Sequence, residues 1–175
     1  MTNSKPVISC KNVWKLFGFA PEKYYKSLSE NKSYEDIQAD GYIAGVKDVS
    51  VDVFKGEMLV IMGLSGSGKS TLLRCMSRLH DITGGTIAID DQDIMSLEEK
   101  ELIDLRRNKM GMVFQSFGLL PHRSVLENVA FPLEMRGQSK HDRRDRALEV
   151  IKLVGLEGRE DYFPRELSGG QQQRV

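Results

Sequence analysis

The clearest chemical motif in the chain is a glycine-rich loop followed at once by a lysine and two hydroxyl residues. Gly63, Gly68, Lys69 and Ser70 match the pattern G-x-x-x-x-G-K-[ST]. Glycine permits positive φ, so successive backbone N–H groups can turn toward an anion that a Cβ would crowd. A helix that begins at the end of the loop would add its unpaired N–H groups and the positive end of its dipole. The motif therefore predicts a phosphate-binding loop.

Each part of this loop has an expected contact with a nucleoside triphosphate. The pattern places Lys69 on the β- and γ-phosphates, the Ser70 hydroxyl on Mg²⁺ and Thr71 on the α-phosphate side. Lys69 is therefore a candidate catalytic residue and Ser70 a candidate metal ligand. The residues predicted to bind the nucleotide here are Gly63, Ser65, Gly66, Ser67, Gly68, Lys69, Ser70 and Thr71.

A strand must enter such a loop and a helix must leave it. Residues 58–62 form an apolar run that predicts a buried strand. Leu72, Leu73, Met76 and Leu79 follow at helical spacing and predict the helix. Both flanking elements are therefore expected around the loop.

Strand patterns also precede the loop. Residues 7–17 alternate well enough to predict one or two edge strands, and residues 42–54 alternate with Val49, Val51 and Val53 on one face. An antiparallel part of the sheet is therefore expected before the phosphate loop.

The polar segment 18–41 separates these two strands and predicts a helical insertion. Pro21 suits the first turn of one helix, and Ser33 followed by Asp36 is typical of the start of a second. A disordered segment is the alternative, because the composition is polar.

Helices dominate the later part of the chain. Capping residues open three of them, because a serine followed three residues later by an acidic side chain satisfies the first backbone N–H groups. The predicted helices run from the Ser96–Glu99 box to about Arg107, from the Ser124–Glu127 box through Met135 with a kink at Pro132, and from Ser139 to a stop at Gly155.

Composition limits the classes of protein to consider. The 175 residues carry zero net charge and 40% hydrophobic residues, so nothing indicates nucleic acid as a partner. No apolar run approaches the length of a membrane span, and the N-terminus lacks a signal peptide pattern, which favours the cytosol. Cys10 and Cys75 lack metal-ligand spacing and are expected to be reduced, partly buried thiols.

A second anion-binding motif lies about 100 residues beyond the phosphate loop. Ser168 is a helix N-cap with Gln171 three residues later, and Gly169 and Gly170 would let the helix N-terminus approach a phosphate closely. All four are predicted to bind the nucleotide. We expect an α/β fold with a nucleotide-binding core and mixed sheet over 1–115 and a helical subdomain over 116–175.

The order of these motifs resembles that of ABC-type ATPases. Segments 61–71, 112–117 and 120–122, with the insertion 18–41, are similar to the ATP-binding subunit of glycine betaine/proline (quaternary amine) importers. The resemblance implies that ATP binds between two such subunits, with Ser168, Gly169 and Gly170 of one acting on the γ-phosphate held by the other. It also implies a transmembrane permease that docks near residues 117–134, indirect contact with a substrate-binding protein, and a peripheral location on the cytoplasmic face of the membrane.

Two further site residues come from this resemblance alone. Gln115 matches the family's glutamine, which contacts Mg²⁺ and the attacking water, so it is a candidate catalytic residue and metal ligand. A solvent-facing glutamine after a strand is the alternative. Phe17 matches the aromatic residue under the adenine, where stacking would contribute about 1–3 kcal/mol. A plain core phenylalanine is the alternative there.

The resemblance ends with the sequence at Val175, inside the helix that the signature begins. The family's strand with a Mg²⁺-binding aspartate, its catalytic glutamate and its switch histidine would follow. Residues 87–91 imitate that strand end, but they precede the signature and have hairpin-like flanks. One hypothesis is an importer subunit that couples ATP hydrolysis to uptake of betaine-type osmoprotectants, with this chain alone inactive in hydrolysis. The other is a truncated nucleotide-binding or interaction fragment.

Overall fold

The computed structural model describes residues 5–28, 32–113 and 118–175. They form two compact units that divide between Ile103 and Asp104. The first unit holds a sheet and the second a group of helices. The elements in chain order are β1 (Ile8–Phe17), α1 (Pro21–Ser27), α2 (Tyr34–Ala39), β2 (Ile43–Val53), α3 (Lys69–Met76), β3 (Gly84–Ile89), β4 (Gln92–Asp93), α4 (Glu99–Lys109), α5 (Val125–Met135), α6 (Lys140–Leu153), a short 3-10 helix (Pro164–Glu166) and α7 (Gly169–Gln172).

The sheet has the strand order β2-β1-β3-β4, and all three pairings are antiparallel. The parallel part of the predicted mixed sheet is therefore not found among the described residues. The expectation that residues 7–17 form edge strands is wrong, because β1 is a single strand paired on both sides. Val13 and Leu16 of β1 are fully buried, as is Ile87 of β3.

The run 58–62 before the phosphate loop is not a strand in this structure. Met58 and Met62 are 88% and 85% exposed, and no described segment forms a ladder with the run. A strand is stable only when its N–H and C=O groups are paired with a neighbour, and an apolar composition does not supply that neighbour. The prediction of a buried strand is therefore wrong here.

The insertion between β1 and β2 is helical, as predicted. Pro21 is the first residue of α1, and Ser33 caps α2 in a capping box with Asp36. The rings of Tyr24 and Tyr42 stack with their centroids 3.8 Å apart. Ile37, which the sequence pattern did not single out, is fully buried. These contacts exclude the disordered alternative for the two helices.

A polar cluster reinforces the insertion. The hydroxyl of Tyr24 donates a hydrogen bond to the carboxylate of Asp40 over 2.6 Å, and the ammonium group of Lys32 forms an ion pair with the same carboxylate. The hydrogen bond from Lys32 is the main reason why the pKa of Asp40 lies below its usual value. The cluster joins both ends of the segment that contains α2.

The hairpin between β3 and β4 excludes residues 87–91 as a magnesium-binding strand end. Asp90 and Asp91 have φ values of +49° and +65° and form the tight turn between two antiparallel strands. The carboxyl of Asp91 pairs with the ammonium of Lys5 over 2.7 Å. Residues 87–91 therefore resemble the family's magnesium-binding strand end in sequence only, because Asp90 and Asp91 form a turn.

The first residue of α4 differs from the prediction. The predicted helix is present, but it begins at Glu99. The Glu101 carboxylate accepts a hydrogen bond from the N–H of Glu98. The hydroxyl of Ser96 donates instead to the carbonyl of Asp93 over 2.8 Å. The Ser96–Glu99 box is therefore wrong, because the preceding turn uses the serine.

The second unit confirms the other predicted helices. Ser124 and Glu127 form a complete capping box at α5, and the Ser139 side chain accepts from the N–H of Asp142 at α6. Gly155 takes φ +69° after α6, and the N–H of Leu156 bonds to the carbonyl of Ile151. The core of this unit consists of Val125, Leu126, Ala130, Ala147, Ile151, Leu156 and Leu167.

Both cysteines are free and buried, as the sequence predicts. Burial raises the pKa of the Cys10 thiol to about 11 and also raises the pKa of the Cys75 thiol. Neither group is a thiolate at neutral pH, so both act as small apolar side chains. No helix in the described part of the chain is long and apolar enough to cross a membrane.

Candidate nucleotide-binding site

The phosphate loop ends where α3 begins, and Gly68 forms the junction. Gly68 is the N-cap of α3 with φ +89°, and its carbonyl accepts the first helical hydrogen bond from Leu72. A Cβ at Gly68 would lie 2.0 Å from the carbonyl oxygen of Gly45 in β2. Both the backbone conformation and the space therefore require glycine here, as the motif predicts.

Lys69 folds back over the loop. Its Nζ donates to the carbonyl oxygens of Gly63 and Leu64 over 3.0 Å and 2.6 Å, and lies 3.4 Å from Oγ of Ser67. These contacts place a positive charge at the centre of the loop, next to the N-terminus of α3. The positive charge of Lys69 and the positive end of the α3 dipole therefore lie together, which suits an anion.

The remaining loop residues are arranged around this ammonium group. A Cβ at Gly63 would lie 2.7 Å from Oγ of Ser67, so the loop is tightly closed there. Ser65 and Gly66 form the exposed tip, and Gly66 has φ +80°. Ser70 is exposed in the first turn of α3, where its hydroxyl is accessible to a metal ion.

Phe17 lies at the end of β1, beside this loop. A Cβ placed on Gly45 would lie 2.7 Å from Cε2 of Phe17 and 3.1 Å from Cγ2 of Thr71. The Phe17 ring therefore lies over β2 and next to the first turn of α3. The ring is 37% exposed, and His80 meets it edge-on at 5.9 Å. The structure thus brings the predicted base-stacking residue to the phosphate loop and leaves that residue partly exposed.

A pocket of about 200 Å³ opens beside the same loop. Ser67, Gly68 and Lys69 line one side, and Gly45 and Lys47 of β2 line another. Gly45 was not among the site residues predicted from the sequence. The available signal was a glycine inside a strand pattern, which often marks a close approach of another group to the backbone.

The signature motif lies in the second unit, where local contacts fix it. Ser168 caps α7 in a capping box with Gln171, as predicted. Leu167 is buried in the helical core, which anchors the residue before the cap. Nε2 of Gln172 donates to the carbonyls of Pro164 and Leu167 over 2.8 Å and 3.1 Å. The start of α7 is therefore held rigidly while its first residues stay exposed.

Nothing in the described part of the chain explains why residues 169 and 170 are glycines. Both have ordinary helical φ, and a Cβ at either position would meet no atom within 4 Å. Glycine is about 1 kcal/mol less favourable than alanine in a helix. The two glycines therefore fit a role in which another group approaches this helix closely.

Gly170→Ala is therefore expected to leave the folded chain as stable as before or to stabilise it by up to about 1 kcal/mol. Gly155→Ala is the matched control, because Gly155 has φ +69° in the same unit and alanine there should destabilise by about 1 kcal/mol. Urea unfolding followed by far-UV circular dichroism measures both changes. A destabilisation by Gly170→Ala as large as that of Gly155→Ala would contradict the expectation.

Gln115 falls within residues 114–117, outside the described residues, so its predicted contacts with Mg²⁺ and water stay predictions. The described segment that follows is held by Asn128 of α5. Its Oδ1 accepts from the N–H of Leu120 over 2.7 Å, and its Nδ2 donates to the carbonyl of Arg123 over 2.9 Å. Asn128 was not identified from the sequence, because its partners are loop backbone groups.

The similarity to known proteins includes both the phosphate loop and the signature motif. Residues 46–175 match the family model described as ABC transporter. The trimethylamine N-oxide transport system ATP-binding protein TmoW of Ruegeria pomeroyi is 76% identical over 97% of this chain and 50% of its own length. The glycine betaine/proline betaine transport system ATP-binding protein ProV of Escherichia coli is 46% identical over 96% of this chain and 42% of its own length. The sequence-based resemblance to quaternary amine importer subunits is thereby confirmed.

A solved structure supports the fold. A dimeric ATP-binding cassette in a post-hydrolysis state, bound to ADP and Pi, superposes with a TM-score of 0.76 at 37% identity. The match covers 95% of this chain and 66% of that one. This chain spans about half the length of the curated relatives that it matches.

Proposed function

The chain belongs to the ABC transporter family, and we propose that it binds MgATP and acts as the ATP-binding subunit of an importer. The observation that carries this proposal is the geometry of the phosphate loop. The ammonium of Lys69, the exposed hydroxyl of Ser70 and the N-terminus of α3 lie together beside the partly exposed ring of Phe17. This arrangement would provide contacts for the phosphates, the bound metal ion and the base of MgATP.

The residues fit Mg²⁺ as well as the nucleotide. Magnesium in such sites is held mostly by phosphate oxygens and water, with few protein ligands. One exposed hydroxyl, Ser70, at the end of the phosphate loop meets that need, and Gln115 is the second proposed ligand. Bound MgATP would supply a reactive γ-phosphoryl group, while Lys69 would orient it and stabilise its charge.

We place the complete site at an interface between two copies of the subunit. The accessible space in front of Gly169 and Gly170 supports close approach of a second subunit's nucleotide to α7. The related cassette bound to ADP and Pi is itself described as dimeric. In this arrangement Ser168, Gly169, Gly170 and Gln171 act on the γ-phosphate held by the other subunit, and hydrolysis drives transport.

A permease is the proposed membrane partner, which would hold this subunit at the cytoplasmic face. A pocket of about 460 Å³ in the second unit supports this docking surface. Arg123, Glu127 and Glu134 line it, and Arg123 and Glu134 form an ion pair of 2.8 Å. Charged side chains at the rim of an interface contribute to the specificity and the rate of association, so such a lining would help to select the partner. A substrate-binding protein would deliver the solute to the permease.

Trimethylamine N-oxide is the solute that we propose for the complete transporter. The two relatives named for that solute are 76% and 60% identical to this chain, against 46% for the relative named for glycine betaine. Both solutes carry a trimethylated nitrogen, so the betaine-type solute expected from the sequence is a close chemical alternative.

Calorimetric titration of ATP with Mg²⁺, and again with EDTA, tests the proposal. We expect Mg²⁺ to strengthen binding to the wild-type chain by about tenfold to 100-fold, because one charge-assisted contact contributes about 1.5–3 kcal/mol. Ser70→Ala should remove most of this difference and retain the binding seen with EDTA. A folded wild-type chain that binds no ATP under either condition would refute the proposal. Detectable turnover of ATP by the purified chain, lost in Lys69→Ala, would rule out a binding fragment.

A further inference from the structure

One backbone position touches both halves of the proposed nucleotide site. Gly45 lies in β2, two residues beyond Ile43, which pairs with Phe17 in the ladder between β1 and β2. The space where a Cβ of Gly45 would lie is taken by the Phe17 ring, with Cε2 at 2.7 Å and Cδ2 at 3.3 Å, and by the methyl group of Thr71 at 3.1 Å. The ring therefore rests directly over the Gly45 Cα.

The carbonyl group of the same residue contacts the phosphate loop. The oxygen of Gly45 lies 2.0 Å from the position that a Cβ of Gly68 would take, so the two backbones touch. Gly68 in turn begins α3 and precedes Lys69. Gly45 thus connects the aromatic ring on one side with the anion-binding end of α3 on the other.

We propose that Gly45 is a positioning residue that sets the Phe17 ring at the distance from the phosphate loop that a nucleoside triphosphate requires. The inference rests on the proposed ATP-binding function and deepens it. The phosphate loop alone would bind any polyphosphate. The ring adds a contribution that depends on the base, and that contribution requires the ring to keep its place against Gly45 of β2.

Neighbouring contacts restrict the ring further. His80 meets Phe17 edge-on with an interplanar angle of 88°, and Nζ of Lys15 lies 5.1 Å from the ring centroid. A side chain at position 45 would push the ring away from β2 while His80 and Thr71 limit where it can move. Gly45 has an ordinary φ, so alanine there changes contacts and introduces no backbone strain.

The test compares MgATP with magnesium tripolyphosphate, which carries the phosphates without the nucleoside. Calorimetry gives the ratio of the two dissociation constants for the wild-type protein, Gly45→Ala, Phe17→Ala and the double variant. We expect Gly45→Ala to weaken ATP binding by about fivefold to 100-fold, the range that loss of one stacking contact gives. Tripolyphosphate binding should stay within about twofold, and Gly45→Ala should have no further effect in the Phe17→Ala background.

Controls separate this inference from the proposed function. Gly111→Ala is the matched control, because Gly111 has an ordinary φ and no described atom lies within 4 Å of a Cβ built there. We expect this variant to bind both ligands like the wild-type protein. Provided that both ligands bind the wild-type protein, two results would overturn the positioning role and leave the proposed function standing. In one, Gly45→Ala weakens the binding of both ligands equally, and in the other it weakens ATP binding further in the Phe17→Ala background. If the folded wild-type protein binds neither ligand, the proposed function and this inference both fail.

Discussion

Replacing Lys69 by alanine is expected to weaken ATP binding by about 30-fold or more. Its ammonium group lies over the phosphate loop, within 3.0 Å of two loop carbonyls, and the motif places it on the expected β- and γ-phosphates. Removing one partner of a desolvated charge pair costs about 2–5 kcal/mol, and 1.4 kcal/mol corresponds to tenfold in affinity. The helix dipole and loop amides would remain, but they carry only partial charges.

Lys55→Ala is the control for general charge. Lys55 is an exposed lysine in the turn after β2, outside the phosphate loop, and its loss should leave the affinity within about twofold. Binding of a fluorescent ATP analogue, with circular dichroism to confirm folding, measures both variants. A folded Lys69→Ala protein that binds ATP with wild-type affinity would show that the nucleotide does not bind through this loop.

Ile151→Ala is expected to destabilise the second unit by about 2–5 kcal/mol. Ile151 of α6 is fully buried in the helical core together with Ala147, Leu156 and Leu167. Truncation removes buried methyl groups and leaves a cavity that neighbours fill only in part. Because Leu167 immediately precedes the Ser168 cap, the same change should also loosen the start of α7.

Two probes can assign this loss to one unit. The only tryptophan of the chain, Trp14, lies in β1 of the first unit, so its fluorescence reports on that unit during urea unfolding. Far-UV circular dichroism detects α5 and α6 as well. Ile151→Ala should shift the dichroism midpoint more than the fluorescence midpoint. Leu153→Ala, at an 84% exposed position of the same helix, should change the free energy of unfolding by no more than about 0.5 kcal/mol with either probe. Equal effects of the two variants would contradict the core assignment.

Local signals in the sequence predicted the local structure well. The caps at Ser33, Ser124, Ser139 and Ser168 all form, because each bond spans three residues and depends on little else. The phosphate loop and the start of α3 are equally local. Ser96 is the exception, since the preceding Asp93 carbonyl competes for its hydroxyl.

Features that depend on distant residues were not predictable. Residues 58–62 have the composition of a buried strand, but a strand also needs partners, and composition does not reveal them. The contact of Phe17 with Gly45 spans 28 positions, and the burial of Ile37 depends on how the insertion packs. The predicted roles of Gln115 and the predicted domain boundary near residue 115 stay predictions.

The insertion between β1 and β2 is a place where the chain can gain or lose residues. Phe17 and Ile43 are directly paired, so residues 18–42 form one long closed loop whose two ends meet. The entropy of closing a loop rises by only about 0.6 kcal/mol for each doubling of its length. The buried Ile37 and the ring of Tyr25, which lies against Gly84, offset part of that cost. Additions or deletions inside this segment should therefore leave the register of the two strands intact, and with it the position of the Phe17 ring.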